Sequence, residues 1–386
     1  MTQATRKQTN RKNARLISRN KTWGYALLFC CCLSALQWVQ AAPTAPQGAQ
    51  ISSLLQSDSP YLAMHAQDPV HWQIWHAGVL AQAQREKKLI MLSSGYFSCH
   101  WCHVMQQENY QDQEVAHYLN QHFLSIKIDR ELLPDLDHYM LQFARKASGH
   151  AGWPQHVFLT PSGIPFFALT YQPKPRFLKT LKNLVALWHQ SPERVERIAR
   201  QALPTPLPAH LTTDNDLSSL VSVQTFDQAL QHQVLLQADT LSGGLKGTQK
   251  FPQAPLLNIL ITQPSLPEEL QDWLRLTLDQ MQDGHLQDHV NGGFFRYCVD
   301  PDWQIPHFEK MLYTQAQLAQ LYFVASHRFH RADYRQTANR TLDYVERSLF
   351  NPKTQLFQSS QSAIDKQQRE GGGYLWTKPQ LQHRLS

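Results

Sequence analysis

Apolar runs and amphipathic stretches alternate along the first half of the chain. The segments KKLIMLSSGY (87–96) and LSIKI (124–128) are short apolar runs of the kind that form buried strands. Residues 113–123 and 136–147 instead place apolar side chains at helical spacing. The order strand, helix, strand, helix predicts an α/β domain in which helices cover both faces of a central sheet.

A hairpin and a final helix complete this pattern. The β-prone runs 156–160 (HVFLT) and 164–170 (IPFFALT) flank the turn Pro-Ser-Gly, whose residues supply hairpin geometry. A last helix is predicted over residues 175–188. We therefore assign residues 52–202 to one α/β domain.

Strand signals nearly vanish after this domain. Residues 203–219 (LPTPLPAHLTTDNDLSS) contain three prolines and no apolar periodicity, which predicts a linker. Over residues 220–386 helical stretches alternate with glycine-rich turns (SGGLKG, NGGFF and EGGGY), which predicts an all-α domain of paired helices. The predicted helices of this domain span 226–238, 267–281, 310–329 and 334–350.

The N-terminus has the layout of a signal peptide. The first 41 residues contain seven basic residues and no acidic one, and the apolar run 23–39 is shorter than the ~20 residues of a permanent membrane span. Small residues end the run, so we expect cleavage after Ala41 and a periplasmic or secreted protein with no stable transmembrane span. An uncleaved membrane anchor is the alternative, and either outcome exports the rest of the chain.

Removal of this segment changes the charge and the cysteine inventory. The 36 basic and 30 acidic residues of the full chain become 29 and 30, and this near neutrality gives no reason to expect a nucleic-acid partner. Of the six cysteines, Cys99, Cys102 and Cys298 remain. Three thiols are too few for a disulfide scaffold, and the close spacing of two of them indicates redox chemistry.

The cysteine pair follows the predicted strand 87–96 directly. Cys99 is therefore expected at a helix N-terminus, where free N–H groups and the helix dipole stabilise a thiolate. Protonated His100 would add positive charge beside it. Cys102 lies nearly one helical turn further on, within reach of Cys99. This arrangement predicts a redox pair in which Cys99 attacks a disulfide and Cys102 resolves the intermediate.

Two other interpretations of the CHWCH segment stay open. A metal site would use Cys99, His100, Cys102 and His103, but four ligands from one short helical turn point in too many directions and no second CxxC exists. We therefore expect neither a metal nor another cofactor. The remaining alternative is an inert structural pair.

Residues from other segments are expected around the pair. Asp129 and Arg130 end the LSIKI strand level with the cysteines, where they would form a carboxylate relay or ion pair near the thiols, or merely pair with each other. Trp101 would form part of an apolar rim for a peptide, or else pack inside the helix face. Trp153 and His103 would also lie nearby.

Pro154 immediately precedes a predicted strand, in the segment GHAGWPQHVFLT. In a sheet of this order a cis proline here would lie beside the cysteines and offer backbone hydrogen bonds to an extended substrate. An ordinary strand-entry proline is the alternative.

Several long motifs resemble one known family. SPYLAMHAQDPVHWQIW, SSGYFSCHWCHVM, IKIDRELLPDLDHYM and GWPQHVFLTPSGIPFF are similar to the thioredoxin-like domain of the spermatogenesis-associated protein 20 family, also called DUF255. KFP, GGFFRYCVDPDW and IPHFEKMLY resemble the helical domain that follows it. The resemblance covers residues 59–376 and implies a thioredoxin fold with Cys99 and Cys102 as the active pair. It also implies a second domain similar to the (α/α) barrels of sugar epimerases and glycosidases.

The second domain departs from the family at positions that would carry sugar chemistry. Phe295 stands where the family has a polar His, and Cys298 stands where it has Ser, which argues against sugar catalysis. Relatives continue well beyond Ser386, so we expect about half a barrel here, which predicts instability, a partner chain that completes the helical domain, or a truncated gene product. The residues that would suit a sugar, or would equally join helix pairs, are Arg296, Tyr297, Trp303, His307 and Glu309.

Three functions follow as hypotheses. The first is an exported thioredoxin-like thiol-disulfide oxidoreductase, or a redox sensor, acting on protein or peptide thiols through the CHWC pair. The second is a carbohydrate-binding or carbohydrate-processing helical domain with a regulatory thioredoxin-like module. The third is an envelope scaffold protein.

Overall fold

A mixed sheet organises the first half of the protein in the computed structural model, which describes residues 54–202, 223–367 and 369–385. Its strands are β1 (Gln73–Ile74), β2 (Leu89–Gly95), β3 (Phe123–Asp129), β4 (Gln155–Leu159) and β5 (Pro165–Leu169). In space they run β1-β3-β2-β4-β5. Strands β1 and β2 pair parallel to β3, whereas β4 pairs antiparallel to β2 and to β5. The predicted sheet with its terminal hairpin is confirmed.

Helices cover both faces of this sheet. They are α1 (Pro60–Met64), α2 (Val79–Glu86), α3 (His100–Met105), α4 (Gln113–His122), α5 (Pro134–Ser148), α6 (Lys174–Gln190) and α7 (Pro192–Ala202). One π-helical turn, Gln106–Tyr110, continues α3. Asp112 caps α4 by accepting hydrogen bonds from the N–H groups of Glu114 and Val115.

Strand β2 is buried along its whole length. Successive side chains of a strand point to opposite faces, and the two faces of β2 supply two different cores. Leu89 and Met91 pack with residues of α3, α4 and α6. Ile90 and Leu92 pack with residues of α2 and α5. This two-sided burial explains the continuous apolar run in the sequence.

The second half is mainly helical. Its helices are α8 (Val223–Gln237), α9 (Ala254–Thr262), α10 (Glu268–Asp283), α11 (Leu312–Arg328), α12 (Ala332–Tyr344) and α13 (Lys378–Leu385), with a π-helical turn at Val345–Leu349. Two-residue strands lie between them at β6 (Tyr297–Cys298), β7 (Pro306–His307), β8 (Lys310–Met311), β9 (Phe350–Asn351), β10 (Leu356–Phe357) and β11 (Ser360–Gln361). Together the halves have the expected fold class, a thioredoxin-like α/β domain followed by a mainly helical domain.

Some element boundaries differ from the sequence-based prediction. The helix predicted over 310–329 begins only at Leu312, because Lys310 and Met311 pair with β11 as strand β8. Phe123, predicted to end a helix, begins β3. The sequence pattern also missed α9, whose residues APLLNILIT are apolar almost all round and show no amphipathic period.

The two halves share contacts, and residues Gln47–Ser386 form one compact unit. Met311 of the helical half is 1% exposed and belongs to the same apolar cluster as Cys99 and Cys102. The predicted signal peptide (1–41) and linker (203–219) lie outside the described residues.

Candidate active site

Cys99 and Cys102 are joined by a disulfide bond at the start of α3. Cys99 is the N-cap residue, with extended backbone angles, and its sulfur accepts a hydrogen bond from the N–H of Cys102 at 3.2 Å. The sulfur thus takes the place of the oxygen with which Ser or Asp commonly caps a helix. Both residues are almost fully buried, at 2% and 1% exposure. The expected position of Cys99 at a helix N-terminus is therefore observed.

Gly95, the last residue of β2, lies beside the disulfide. A Cβ on Gly95 would approach within 3.0 Å of both the Tyr61 hydroxyl and the Cys102 sulfur. The absence of a side chain lets these two groups lie close together. Glycine is required here by this close approach, whereas most glycines of the second half occupy turns.

A lysine lies in an aromatic cage on the face of the sheet that carries the cysteine pair. The Nζ atom of Lys127 is 4.4, 4.7 and 5.1 Å from the ring centres of Tyr110, Trp72 and Tyr61, and it donates a hydrogen bond to Ser93 Oγ at 3.1 Å. Burial lowers the pKa of Lys127 to about 7. Sequence analysis missed this residue, although a lysine in the middle of the apolar strand LSIKI was a visible signal.

Asp129 ends β3 and Arg130 follows it, and the two side chains contact different partners. Register pairs Asp129 with Gly95, so the two strand ends are level as expected. Asp129 accepts a hydrogen bond from Ser59 Oγ at 2.5 Å, whereas the guanidinium of Arg130 lies over the Trp153 ring at 4.0 Å. Neither of the two expected pairings is observed, since Asp129 bonds to a serine and Arg130 stacks on an aromatic ring.

The segment before β4 contains a cis bond between Trp153 and Pro154. The indole N–H of Trp153 donates to Asp137 Oδ1 at 2.9 Å, and its ring packs edge-on against Tyr96 at 5.9 Å. Trp153 therefore lies next to the cysteine loop (residues 96–100), as expected for a residue near the site.

Exposed aromatic side chains surround the disulfide. Trp101 is 42% exposed and packs against Tyr171 with ring centres 4.9 Å apart, and Phe97 is 47% exposed. His103 Nε2 forms a hydrogen bond with the Phe97 carbonyl at 2.8 Å. Burial lowers the pKa of His103, so this ring contributes a hydrogen bond to the loop and little positive charge. Trp101 is therefore not packed inside the helix face, and its role in an apolar rim for a peptide stays a prediction.

A buried carboxylate from the helical half binds the cysteine loop. Glu309, which is 1% exposed, accepts hydrogen bonds from the His100 backbone N–H at 3.0 Å and from the Tyr96 hydroxyl at 2.8 Å. It also pairs with Arg296 at 2.6 Å and with His307 at 3.2 Å. Glu309 thus uses one of the free N–H groups at the start of α3. Sequence analysis assigned Glu309 to a sugar site and did not anticipate this contact.

Of the two histidines beside the cysteine loop, His307 has a raised pKa and His100 a lowered one. Burial disfavours the charged His307 ring, but hydrogen bonds with Glu309 and Glu370 outweigh that cost and raise the pKa of His307 to about 9. Burial lowers the pKa of His100 despite its contact with Glu370 at 3.3 Å. The expectation that protonated His100 supplies positive charge is therefore wrong.

We expect the stabilisation from His307 to depend on pH. Its folded pKa of about 9 lies above the ordinary 6.5, so its contribution is complete below pH 6.5 and is lost as the pH rises through 9. The shift corresponds to a free energy on the order of 3 kcal/mol. Lys127 acts in the opposite direction over the same range because its pKa is lowered. The effect of His307 is therefore expected in the difference between the free energies of unfolding of the wild type and of His307→Gln, in which the contribution of Lys127 cancels.

Urea unfolding of both oxidised proteins between pH 6 and 10 measures this difference. The stability gap is expected to be largest at pH 6 and to shrink by about 3 kcal/mol toward pH 10. A gap that stays constant across this range would contradict a charged His307 in the folded state.

The five residues considered for a sugar do not line one cavity. Trp303 is fully buried, and its indole N–H donates to the Ser242 carbonyl at 2.8 Å, so it presents no surface to a ligand. Tyr297 stacks on Phe251 at 4.5 Å. Arg296, His307 and Glu309 bind one another and the cysteine loop. A cavity of about 330 Å³ in the helical half is lined by other residues, among them Lys310 and Tyr374.

Within residues 54–202, 223–367 and 369–385, no cluster of three or more His, Cys, Asp or Glu side chains has the geometry to hold a metal ion. In the same part of the chain, no helix combines the length and apolarity that crossing a membrane requires.

The sheet order, the CxxC disulfide at the start of the helix after β2, and the proline before β4 define a thioredoxin-like protein. The family model described as "Protein of unknown function, DUF255" (Thioredox_DsbH) matches residues 51–205. This match confirms the resemblance to the DUF255 family that the sequence motifs predicted for this segment.

Two curated relatives extend the similarity into the helical half. Rat spermatogenesis-associated protein 20 is 35% identical over 360 residues, which cover 89% of this chain and 45% of the rat protein. The human protein of that name is 34% identical over 349 residues, covering 86% of this chain and 44% of the human protein. The chain thus spans less than half the length of these relatives.

Two solved structures show weaker similarity over about a third of this chain each. A "DsbH Oxidoreductase" is 21% identical with a TM-score of 0.26, and the match covers 34% of this chain and 93% of the other. A "sugar epimerase from ruminal bacterium" is 15% identical with a TM-score of 0.31, covering 36% of this chain and 38% of the other.

Proposed function

We propose that this protein is an exported thiol-disulfide oxidoreductase that acts on protein or peptide thiols through Cys99 and Cys102. The observation that carries the proposal is the Cys99–Cys102 disulfide at the N-terminus of α3, bordered by exposed Phe97 and Trp101. A sulfur at this position is favoured as a thiolate by the helix dipole and free N–H groups. Exposed aromatic side chains supply apolar contact for a peptide.

The exchange reaction runs through one mixed disulfide. In the reducing direction the Cys99 thiolate attacks a substrate disulfide, forms a Cys99–substrate bond and releases one substrate thiolate. The Cys102 thiolate then attacks Cys99 Sγ, which restores the internal disulfide and releases the second substrate thiolate. The reverse sequence oxidises a substrate dithiol, and the reduction potential of the pair decides between the two directions.

Cys99 is 2% exposed, so the cysteine loop must open for a substrate sulfur to reach it. The groups that cover the loop come from the helical half. Glu309 binds the His100 N–H, and Met311 accepts a hydrogen bond from Ser98 Oγ at 3.9 Å. Access to the pair therefore depends on the contact between the two halves.

Export is part of the proposal and rests on residues 1–41. Their seven cations followed by an apolar run support translocation of the chain into an oxidising compartment. In such a compartment a redox pair has both protein substrates and oxidants available once its loop opens.

Redox titration of the full-length protein, produced in a Gram-negative bacterium, tests this function. After equilibration in glutathione buffers and alkylation, peptide mass spectrometry is expected to show that Cys99 and Cys102 convert together between disulfide and dithiol. Cys298 serves as the internal control, because its burial raises its pKa to about 12 and it should stay unmodified in the folded protein.

The intact mass is expected to show loss of residues 1–41. A pair that stays oxidised in every buffer would refute a redox-cycling role, and retention of the leader would refute cleavage.

A further inference from the structure

Tyr61 carries a buried hydroxyl that the disulfide form leaves unused. The side chain is 0% exposed, and its hydroxyl has no hydrogen-bond partner among the described residues. A buried polar group without a partner costs about 1–3 kcal/mol. Such a group calls for an explanation, and a partner that forms in another state of the protein is one.

The hydroxyl lies near the sulfur of Cys102. Both atoms lie within 3.0 Å of the position that a Cβ on Gly95 would occupy, so they border the same space beside the bare α-carbon of Gly95. No hydrogen bond joins them while Cys102 is in the disulfide. A disulfide sulfur is a weaker acceptor than a thiolate, which carries a full negative charge.

The surroundings keep Tyr61 a donor. Burial raises the pKa of Tyr61 well above its ordinary value, so the phenol holds its proton at physiological pH. Asp129, which ends the neighbouring strand, already accepts a hydrogen bond from Ser59. Lys127 Nζ lies 5.1 Å from the Tyr61 ring on the same face of the sheet. A negative charge on Cys102 would thus meet a hydroxyl that is still protonated and free to donate.

We propose that the Tyr61 hydroxyl donates a hydrogen bond to the Cys102 thiolate whenever the disulfide opens. This inference rests on the proposed function. When a thiolate attacks Cys99 Sγ, a new bond forms to Cys99, the Cys99–Cys102 bond breaks and its electron pair remains on Cys102 Sγ. That sulfur then accepts the Tyr61 O–H, and no proton leaves the tyrosine. In the reverse step the hydrogen bond breaks as Cys102 Sγ attacks Cys99 Sγ.

The variant Tyr61→Phe removes the donor and nothing else. The equilibrium constant of the pair with glutathione, measured in the full-length protein by mass spectrometry of the alkylated Cys99–Cys102 peptide, is expected to shift about tenfold toward the disulfide at alkaline pH. A tenfold shift corresponds to about 30 mV for this two-electron couple. The matched control is Tyr322→Phe, because Tyr322 is equally buried but its hydroxyl donates to the Leu278 carbonyl at 2.7 Å in the helical half.

Thermal unfolding of the oxidised proteins gives a second readout. Tyr61→Phe is expected to be at least as stable as the wild type, because it deletes an unpartnered hydroxyl, whereas Tyr322→Phe should be less stable and leave the redox equilibrium unchanged. Equal glutathione constants for Tyr61→Phe and the wild type would overturn the inference while leaving the proposed function intact. Loss of stability in oxidised Tyr61→Phe equal to that of Tyr322→Phe would overturn it too. A wild-type pair that does not exchange with glutathione would remove both.

Discussion

The variant Cys99→Ser is expected to reduce thiol-disulfide exchange with a peptide disulfide to the uncatalysed rate. Cys99 caps α3, where the helix N-terminus favours its thiolate, and Cys102 lies inside the helix with 1% exposure. Cys99 is therefore the sulfur that attacks, and no other described thiol replaces it. Turnover of a fluorogenic peptide disulfide under single-turnover conditions measures the effect.

Cys102→Ser is expected to behave differently. It should still attack the substrate but accumulate the Cys99–substrate mixed disulfide, visible as a mass increase of one substrate half, because the resolving thiol is gone. Cys298→Ser is the matched control and should retain the wild-type rate, since Cys298 is fully buried in the helical half. Accumulation of a mixed disulfide on Cys102 in the Cys99→Ser variant would reverse the assigned roles.

The second large effect is expected at Glu309. Alanine there leaves Arg296 and His307 without their shared buried anion, and it takes the acceptor from the Tyr96 hydroxyl and from the His100 N–H. Breaking one side of a buried ion pair costs about 3–5 kcal/mol. We therefore expect Glu309→Ala to lower the free energy of unfolding of the oxidised protein by that amount at pH 7, measured by urea denaturation.

Glu370→Gln is the comparison for this prediction. Glu370 binds the same His307 at 2.7 Å, but its side chain is 38% exposed, so solvent screens the pair and we expect a loss of less than about 1 kcal/mol. A loss in Glu309→Ala no larger than that in Glu370→Gln would mean that the buried carboxylate does not hold the two halves together. Glu309→Ala is also expected to make the cysteine pair easier to reduce, because it removes a negative charge from the start of α3.

Local patterns in the sequence were sufficient for the cysteine site itself. The apolar run ending at Gly95, followed by CHWC and a helical segment, predicted the strand, the cap position of Cys99 and the proximity of Cys102, because all three depend on neighbouring residues. The order of the elements likewise predicted the sheet.

Contacts between distant segments were beyond the sequence pattern. Tyr61 reaches Cys102 from α1, and Glu309 reaches Tyr96 from 213 residues away, so neither contact leaves a periodic signal. Trp303 shows the opposite error. A tryptophan among glycine-rich turns suggested a ligand surface, but Trp303 is fully buried, and Gly244 lacks a side chain that would clash with its ring. The sequence shows that a tryptophan is present at position 303, but only the packing of the folded protein shows that its ring is covered.

The contact of Glu309 with the His100 N–H has a consequence for how this chain is divided in the laboratory. A fragment ending near residue 202 would contain both cysteines and the complete sheet, yet it would lack the carboxylate and the methionine that lie against their loop. Such a fragment is a different redox protein from the one encoded here. Its midpoint potential and its thiol accessibility would describe an uncovered disulfide, so measurements on the excised half do not transfer to the full chain.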